Sequence, residues 1–176
     1  MTERIVIAGF GGQGIMLLGK ILATAAMKEG RHVIWMPCYG PEVRGGTAHC
    51  LVVISDREIG SPYFQEADSM IIMNELSLKK FKKMIKKGGV LVVNSSLACP
   101  EKEKGINIIS HPFSDIAVSL GNIKVANVIS LGCLLARKKI VKIKSVLKVI
   151  TEMAPKGKEE LVYINQKALV EGGKLR

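Results

Sequence analysis

Short apolar runs alternate with longer amphipathic segments along the chain, and this alternation predicts strands and helices in turn. An apolar run at residues 5–8 precedes a glycine-rich turn, and small and apolar residues then recur at helical spacing from Ile15 to Lys28. Gly30 follows, and glycine readily adopts the left-handed conformation that ends helices. The first unit is therefore a strand, a glycine turn and a crossover helix, which is the opening of a doubly wound α/β domain.

Further apolar runs predict the remaining strands of the sheet, at residues 33–36, 47–54, 69–73, 90–93 and 106–109. Continuous apolar runs of this length are typical of strands that are buried on both faces. The sheet is therefore expected to be mostly parallel, with helices on both sides.

One antiparallel hairpin is expected at an edge of the sheet. The strand at 47–54 is followed by a turn at 55–58, and a short return segment begins at Ile59 and is broken by Gly60 and Pro62. We therefore predict that this return segment pairs with the strand before it.

The second half of the chain is predominantly helical. A lysine-rich helix is predicted to end at a Gly88–Gly89 turn, and a short helix begins near Ser114. A long apolar helix is predicted at 123–136, with closing helices at 143–153 and 159–171. The predicted fold is α/β, a three-layer doubly wound Rossmann-like domain with a mostly parallel sheet, an antiparallel edge hairpin and C-terminal helices. Residues 1–176 are expected to form a single domain.

Composition adds an expectation about partners and location. The 176 residues are 48% hydrophobic with a mean hydropathy of +0.25, which is high for a soluble monomer, so some apolar surface is expected to meet another chain. Isolated, the chain could form a homodimer through such surfaces. No apolar run reaches the roughly 18 residues that span a bilayer, and the start lacks the pattern of a signal peptide. We therefore expect a cytoplasmic protein with no membrane partner.

The formal charge of +11 invites a nucleic-acid interpretation, but the distribution of charge argues against it. Many of the lysines alternate with apolar residues at helical spacing, as expected for the solvated side of an amphipathic helix. Aromatic residues make up only 5% of the chain, so few rings could stack on bases. A solvated or partner-facing basic surface is favoured, and no nucleic-acid partner is expected. The lysines concerned are Lys79, Lys80, Lys82, Lys83, Lys86 and Lys87.

The four cysteines lack any Cys-x-x-Cys pair, so their spacing encodes neither a zinc ribbon nor an iron–sulfur cluster. Cys133 lies in an apolar helical segment and is predicted to be a core residue. Cys38 and Cys50 flank an unusual loop, and a reactive role for either remains an alternative to a structural one.

Four polar residues are predicted at strand ends, where an open α/β sheet places its ligand crevice. They are Asp68, Asn74, Glu75 and Asn94, and each is also a good turn or cap residue. Both a ligand role and a capping role remain open for them.

The glycine turn, Gly9 to Gly14, has the G-x-G-x-x-G spacing of a dinucleotide site. That site needs an acidic residue at the end of the second strand to bind the ribose, and here the strand runs into Pro37 and Cys38 instead. A whole dinucleotide is therefore disfavoured. An anion site, a partner surface and a purely structural turn remain as alternatives.

The loop between the second and third strands combines groups suited to binding. Arg44 can fork onto a carboxylate or phosphate, Gly45 and Gly46 allow close approach of the backbone, and Tyr39 offers a ring with a polar tip. Alternatively, Glu42 and Arg44 serve only to order the loop.

Together, the glycine turn and this loop resemble the gamma subunits of the 2-oxoacid:ferredoxin oxidoreductases, which carry a G-x-G-G-Q-G turn and a Y-G-P-E-x-R-G-G loop. Further segments match the same family in the same order, so the resemblance covers nearly the whole chain. These segments are Ile54–Asp56, Ile59–Pro62, Lys87–Gly89, Asn94–Ser96, Gly121–Asn122, Ala126–Asn127 and Leu131–Gly132.

The resemblance implies a non-redox subunit of a complex that oxidatively decarboxylates a 2-oxoacid, transfers the acyl group to coenzyme A and reduces ferredoxin. The implied partners are alpha and beta subunits and a ferredoxin-like delta subunit. Thiamine diphosphate and the iron–sulfur clusters would be held largely by those chains, with no cofactor or metal bound by this chain alone and no catalytic residue on it. The isolated chain is then expected to be inactive.

The resemblance also implies a site. The expected role of the chain is to assemble the complex, cover the thiamine site and seat coenzyme A, whose phosphates suit glycine-turn N–H groups and an arginine. The residues expected to face coenzyme A and the partner chains are Gly11, Gly12, Gln13, Gly14, Tyr39, Glu42, Arg44, Gly45 and Gly46.

The turn and loop are most like the 2-oxoglutarate branch of the family. A pyruvate or branched-chain 2-oxoacid enzyme is the alternative within the family. A free-standing nucleotide-binding Rossmann domain is the alternative outside it.

Overall fold

The structure, a computed structural model, describes residues 1–38 and 47–175. Within these residues, six strands form one sheet in the order β2-β3-β1-β4-β5-β6. The strands are β1 (Thr2–Phe10), β2 (His32–Cys38), β3 (Thr47–Ser55), β4 (Ala67–Ile72), β5 (Ile85–Asn94) and β6 (Asn107–His111). The predicted α/β fold with a mostly parallel sheet is confirmed.

Strand β3 is antiparallel to both of its neighbours, β1 and β2, whereas β1, β4, β5 and β6 pair in parallel. The predicted edge hairpin therefore exists, but its partners are β2 and β3. The prediction that the segment from Ile59 pairs back onto β3 is wrong. Because Phe10 pairs with Thr47 and Cys38 pairs with His49, the ends of β1 and β2 lie at the same edge of the sheet. We call this the carboxyl edge.

The helices are α1 (Ile15–Lys28), α2 (Glu75–Phe81), α3 (Phe113–Ser119), α4 (Ala126–Arg137), α5 (Ile143–Met153) and α6 (Glu159–Lys174), with 3₁₀ turns at Lys82–Met84 and Ile123–Val125. The lysine-rich helix is shorter than predicted. Strand β5 begins at Ile85, which pairs with Ala67 of β4, and the register then shifts so that Ser69 pairs with Val90. Gly88, with a φ of 78°, and Gly89 lie in this irregular stretch of the strand. Among these helices, none is both long enough and apolar enough to cross a membrane.

Successive side chains of a strand point to opposite faces of the sheet, so alternate residues contribute to two separate hydrophobic cores. On β1, Ile5 and Ile7 face a large core shared with α1, α3, α4, α5 and α6, whereas Val6 and Ala8 face a smaller core under α2. The helical layers are therefore unequal, because the two-turn α2 covers one face and five helices cover the other.

Helix α4 is the central helix of the larger layer. Its residues from Ala126 to Leu135 are all buried, because the sheet covers one side and α6 the other. Gly132 of α4 and Gly172 of α6 permit this approach, since a Cβ on Gly172 would lie 2.8 Å from the carbonyl carbon of Ile129. Two helices in contact through glycines can pack backbone against backbone. Cys133 is buried within α4, which confirms its predicted place in the core.

A buried charge network occupies the opposite, amino edge of the sheet. Lys138 donates to the Glu3 carboxylate at 2.5 Å and to the Asp68 carbonyl at 3.2 Å, and Ser69 also donates to Glu3 at 2.6 Å. The Asp68 carboxylate accepts from the Arg4 amide at 2.8 Å and pairs with Lys86. Asp68 was expected near the ligand crevice, but it begins β4 and therefore lies at the edge away from it.

Candidate functional site

The glycine turn follows β1 at the carboxyl edge and is held in shape by Gln13. The Gln13 Oε1 atom accepts from the Phe10 amide at 2.7 Å, and its Nε2 atom donates to the carbonyl of Met73, just past β4, at 3.4 Å. Gly12 has a φ of 92° and open space around it, which leaves the top of the turn accessible. A conformation with positive φ strongly favours glycine. Gln13 is thus a scaffold of the turn.

The end of the turn is pinned by α4. Gly14 has a φ of 70°, its carbonyl accepts from Asn127 Nδ2 at 3.1 Å, and a Cβ on Gly14 would lie 2.5 Å from the same nitrogen. Helix α1 then begins at Ile15. Its first turn carries no acidic residue, and no side chain among the described residues caps its first N–H groups. The positive end of the α1 dipole is therefore uncompensated and favours an anion.

Asn94 ties the neighbouring strand ends together. Its Nδ2 atom donates to the Met73 carbonyl at 3.3 Å and to Ser114 Oγ at 2.8 Å, while its Oδ1 atom accepts from the Ser114 amide at 3.2 Å. Asn74 caps α2 by accepting from the Ser77 amide at 2.8 Å, and Glu75 accepts from the Cys99 amide at 3.1 Å.

A cavity of about 230 Å³ opens between the turn and the start of α4. Ligand pockets usually measure roughly 300–1,000 Å³, so this cavity could enclose one end of a ligand and leave the remainder outside. Lys124 is the cation among its lining residues, which also include Gly12 and Gln13 shortly before the start of α1. The lining comprises Gly12, Gln13, Met73, Leu97, Ser114, Ile123, Lys124, Ala126 and Asn127.

Exposed apolar side chains gather around this edge. Phe10, Leu17, Leu76, Leu97 and Ile123 are each between 37% and 52% exposed, and each lies at a strand end, in a loop that follows β5, or at the start of a helix. Exposed apolar groups that share one edge are typical of a protein–protein contact. We call these five residues the apolar rim.

The two cysteines of the β2–β3 hairpin, Cys38 and Cys50, lie in surroundings that lower the reactivity of a thiol. Burial raises the pKa of the Cys50 thiol to about 12, and its Sγ atom lies 3.6 Å from the Ile15 carbonyl, which disfavours the reactive role considered for Cys50. Burial also raises the pKa of the Cys38 thiol, which disfavours the same role there.

His49 lies on the other side of the hairpin. Its ring packs 4.7 Å from that of Phe81, and burial, together with the nearby Lys80 charge, lowers its pKa. Its Nδ1 atom is buried and has no hydrogen-bond partner among the described residues. These surroundings are those of a neutral histidine.

The predicted site divides into two parts. Gly11, Gly12, Gln13 and Gly14 lie together at the carboxyl edge, with the first two exposed. Tyr39, Glu42, Arg44, Gly45 and Gly46 lie outside the described residues. The hairpin brings both ends of their segment, Cys38 and Thr47, to the same edge as the glycine turn.

The sequence did not single out Lys124, Ser114 or Asn127 as site residues. Asn127 belongs to a segment that matches the family, but nothing local connects α4 with a turn more than 110 positions earlier. Along the described stretches 1–38 and 47–175, no three His, Cys, Asp or Glu side chains gather as a metal site.

Comparisons with known proteins identify the family of the chain. The sequence profile of the pyruvate ferredoxin/flavodoxin oxidoreductase family matches residues 4–175. The 2-oxoglutarate synthase subunit KorC of Methanocaldococcus jannaschii is 35% identical over 164 residues, covering 91% of this chain and 88% of that protein. The gamma subunit of a keto/oxoacid ferredoxin oxidoreductase from Geobacter sulfurreducens superposes with a TM-score of 0.83 at 29% identity, covering 97% of this chain and 95% of that one.

A second kind of relative is longer. The ketoisovalerate oxidoreductase subunit VorA of Methanothermobacter marburgensis is 37% identical over 169 residues, which is 96% of this chain but 35% of that protein. The chain thus spans about a third of the length of this relative. The family match covers nearly all of the sequence, and the glycine turn on which the resemblance rested is formed as expected. The chain therefore belongs to the pyruvate ferredoxin/flavodoxin oxidoreductase family, whose members similar to it include gamma subunits.

Proposed function

We propose that this chain acts as the gamma subunit of a 2-oxoacid:ferredoxin oxidoreductase whose substrate is 2-oxoglutarate. It assembles with alpha and beta chains and a ferredoxin-like delta chain, helps to cover the thiamine site and seats coenzyme A. Reduction of ferredoxin and decarboxylation take place on the partner chains. The observation that carries this proposal is the carboxyl edge, where an open glycine turn, an uncompensated helix terminus and the apolar rim lie side by side.

The apolar rim supports the assembly role. Its five residues lie at the same edge of the sheet as the glycine turn, and Leu97 and Ile123 also line the 230 Å³ cavity. A partner that covers the rim therefore also closes the cavity from water. Burying apolar area in this way contributes about 25 cal/mol per Å² before the costs of association.

The cavity supports the coenzyme A role. The residues present suit an anionic ligand, because Lys124 and the α1 terminus both favour negative charge there. Gly12, Lys124 and Asn127 would hold one end of coenzyme A, and the rest would extend beyond the cavity. When bound, coenzyme A supplies the thiol that accepts the acyl group.

The test uses the complex reconstituted from separately purified subunits. Lys124→Ala is expected to raise the KM for coenzyme A about 5-fold with little change in kcat, which is roughly 1 kcal/mol for an exposed charged contact. Arg44→Ala should raise the same KM or weaken assembly. Lys102→Ala, an exposed lysine outside the cavity, is the matched control. An unchanged KM and unchanged assembly in both variants would contradict the proposed site.

Substrate choice is tested in the same assay. The relatives include a 2-oxoglutarate subunit at 35% identity and a ketoisovalerate subunit at 37%, so both 2-oxoacids are compared, with pyruvate alongside. We expect the highest kcat/KM with 2-oxoglutarate. Ketoisovalerate is the second candidate, and a higher kcat/KM with it would replace the first.

A further inference from the structure

A pocket lined almost entirely by lysines lies between the end of α1 and the start of α5. Lys28, Lys142, Lys144 and Lys148 line it together with Ser145, and its volume is about 430 Å³. We call it the lysine pocket. Four cations on two elements that converge on one concave space create a strong local positive potential.

Most of this charge is not compensated by the protein. Lys28 pairs with Glu152 at 2.8 Å, but Lys142, Lys144 and Lys148 form no ion pair within the described part of the chain. The nearby Glu29 is engaged differently, because its carboxylate accepts from the Lys142 amide at 2.7 Å. Lys142 and Lys144 thus face the pocket without an ionic partner, whereas Lys148 shares the charge of Glu152 with Lys28.

The placement of these lysines also opposes the local preference of the helix. Lys142 is the N-cap of α5 and Lys144 lies in its first turn, where the helix dipole favours acidic residues, yet this turn contains none. The charges of these lysines repel one another, and they are also repelled by the positive end of the helix dipole. The Glu29 carboxylate at the Lys142 amide offsets part of this repulsion, and a local rule that is broken with only partial compensation is typical of a binding site.

The lining also indicates the class of ligand. It contains no aromatic ring and no apolar side chain, so nothing in it would recognise a base or an acyl group. The lysines converge on a compact volume, whereas an acidic peptide would spread its charges at about 3.3 Å per residue along an extended strand. Phosphate groups carry up to two charges each and several acceptor oxygens. We infer that the lysine pocket binds an oligophosphate, either free or carried by a nucleotide.

This site is separate from the carboxyl edge. Helix α1 has 14 residues and begins at the glycine turn, so its last turn lies about 20 Å from that turn. The inference therefore does not rest on the proposed function.

The test is isothermal titration of the full chain with inorganic tripolyphosphate, at a fixed ionic strength near 0.15 M. Wild-type protein should bind it, and the triple variant Lys142→Gln/Lys144→Gln/Lys148→Gln should bind at least tenfold more weakly. A matched triple variant, Lys83→Gln/Lys102→Gln/Lys104→Gln, removes the same charge from exposed lysines elsewhere and should retain the affinity. Circular dichroism checks that each variant is folded. If the triple variant does not fold, the single variant Lys144→Gln replaces it and is expected to bind tripolyphosphate about 3-fold more weakly than wild type.

Titrations with ATP, sulfate and a poly-glutamate peptide identify which chemical group the pocket recognises. ATP that binds as tightly as tripolyphosphate, with the same loss in the variant, would identify the phosphate chain as the recognised group. Sulfate as effective as tripolyphosphate, equal losses in both triple variants, or tighter binding of a poly-glutamate peptide would each overturn the inference.

Discussion

The close contact between α4 and α6 allows a sharp test of the fold. In α6, Gly172 and Gly173 are adjacent, but only Gly172 faces α4. A Cβ on Gly172 would lie 2.8 Å from the carbonyl carbon and 3.0 Å from the Cα of Ile129, and it would also overlap the carbonyl oxygen of that residue. A Cβ on Gly173 would meet only the Cδ1 atom of Ile143, at 4.0 Å.

The two alanine variants should therefore differ in sign. Alanine is favoured over glycine in a helix by up to about 1 kcal/mol, and Gly173→Ala should gain part of this. Gly172→Ala gains the same propensity but overpacks a buried backbone that cannot rotate away, at a cost of about 1–3 kcal/mol. The variants should differ in free energy of unfolding by about 1–3 kcal/mol, which is roughly 2–12 °C in Tm for a domain of this size.

The assay is urea denaturation followed by circular dichroism, with hydrogen exchange to locate the change. Gly172→Ala should lower the free energy of unfolding and increase exchange in α6 and the facing turn of α4, around Ile129. Gly173→Ala should do neither. If Gly172→Ala were as stable as Gly173→Ala, the two helices would not be packed backbone against backbone, and the reasoning would be refuted.

Three further outcomes follow from buried groups. Lys138→Ala should lower the free energy of unfolding by about 3 kcal/mol in urea titrations, because it leaves the buried Glu3 carboxylate without its cation; no loss would contradict the network. The lowered pKa of His49 means that the unfolded chain binds the proton more readily. Stability should therefore be present above about pH 6.5 and fall as the pH drops below it, and His49→Gln should flatten this slope in denaturation measured from pH 7.5 to 5. Maleimide at pH 8, followed by mass spectrometry, should label exposed Cys99 within minutes and Cys50 only after unfolding.

Where local signals agreed, the sequence predicted elements closely. Helix α1 was expected from Ile15 to Lys28 and has these bounds, because helical periodicity lies between a glycine turn and a glycine stop. The closing helix α5 likewise has its predicted bounds of 143–153. The glycine turn was also placed correctly, since its signal lies within six consecutive residues, although Met73 and Asn127 help to hold its shape.

The errors arose where distant pairing decides the outcome. The strand that follows the lysine-rich helix starts at Ile85, five residues earlier than its apolar run predicts, because Ile85 pairs with Ala67 of β4 across a register shift at Gly88 and Gly89. The insertion of β3 between β1 and β2 could not be inferred from spacing either. Asp68 is different, because its position before an apolar run was itself a signal that it starts a parallel strand and lies at the amino edge.

The basic character of the chain proves a poor guide to the candidate site. Lys86 and Lys138 are paired with acids at the amino edge, and Lys82 lies 3.6 Å and 3.5 Å from the carboxylates of Glu101 and Glu103. Within the described residues, Lys124 supplies the only cation to the lining of the carboxyl-edge cavity. Net charge can therefore raise the rate of encounter with an anion, whereas the binding site proposed above depends on oriented N–H groups and on Lys124. This division explains why raising salt should slow association more than it weakens a ligand already bound at the carboxyl edge.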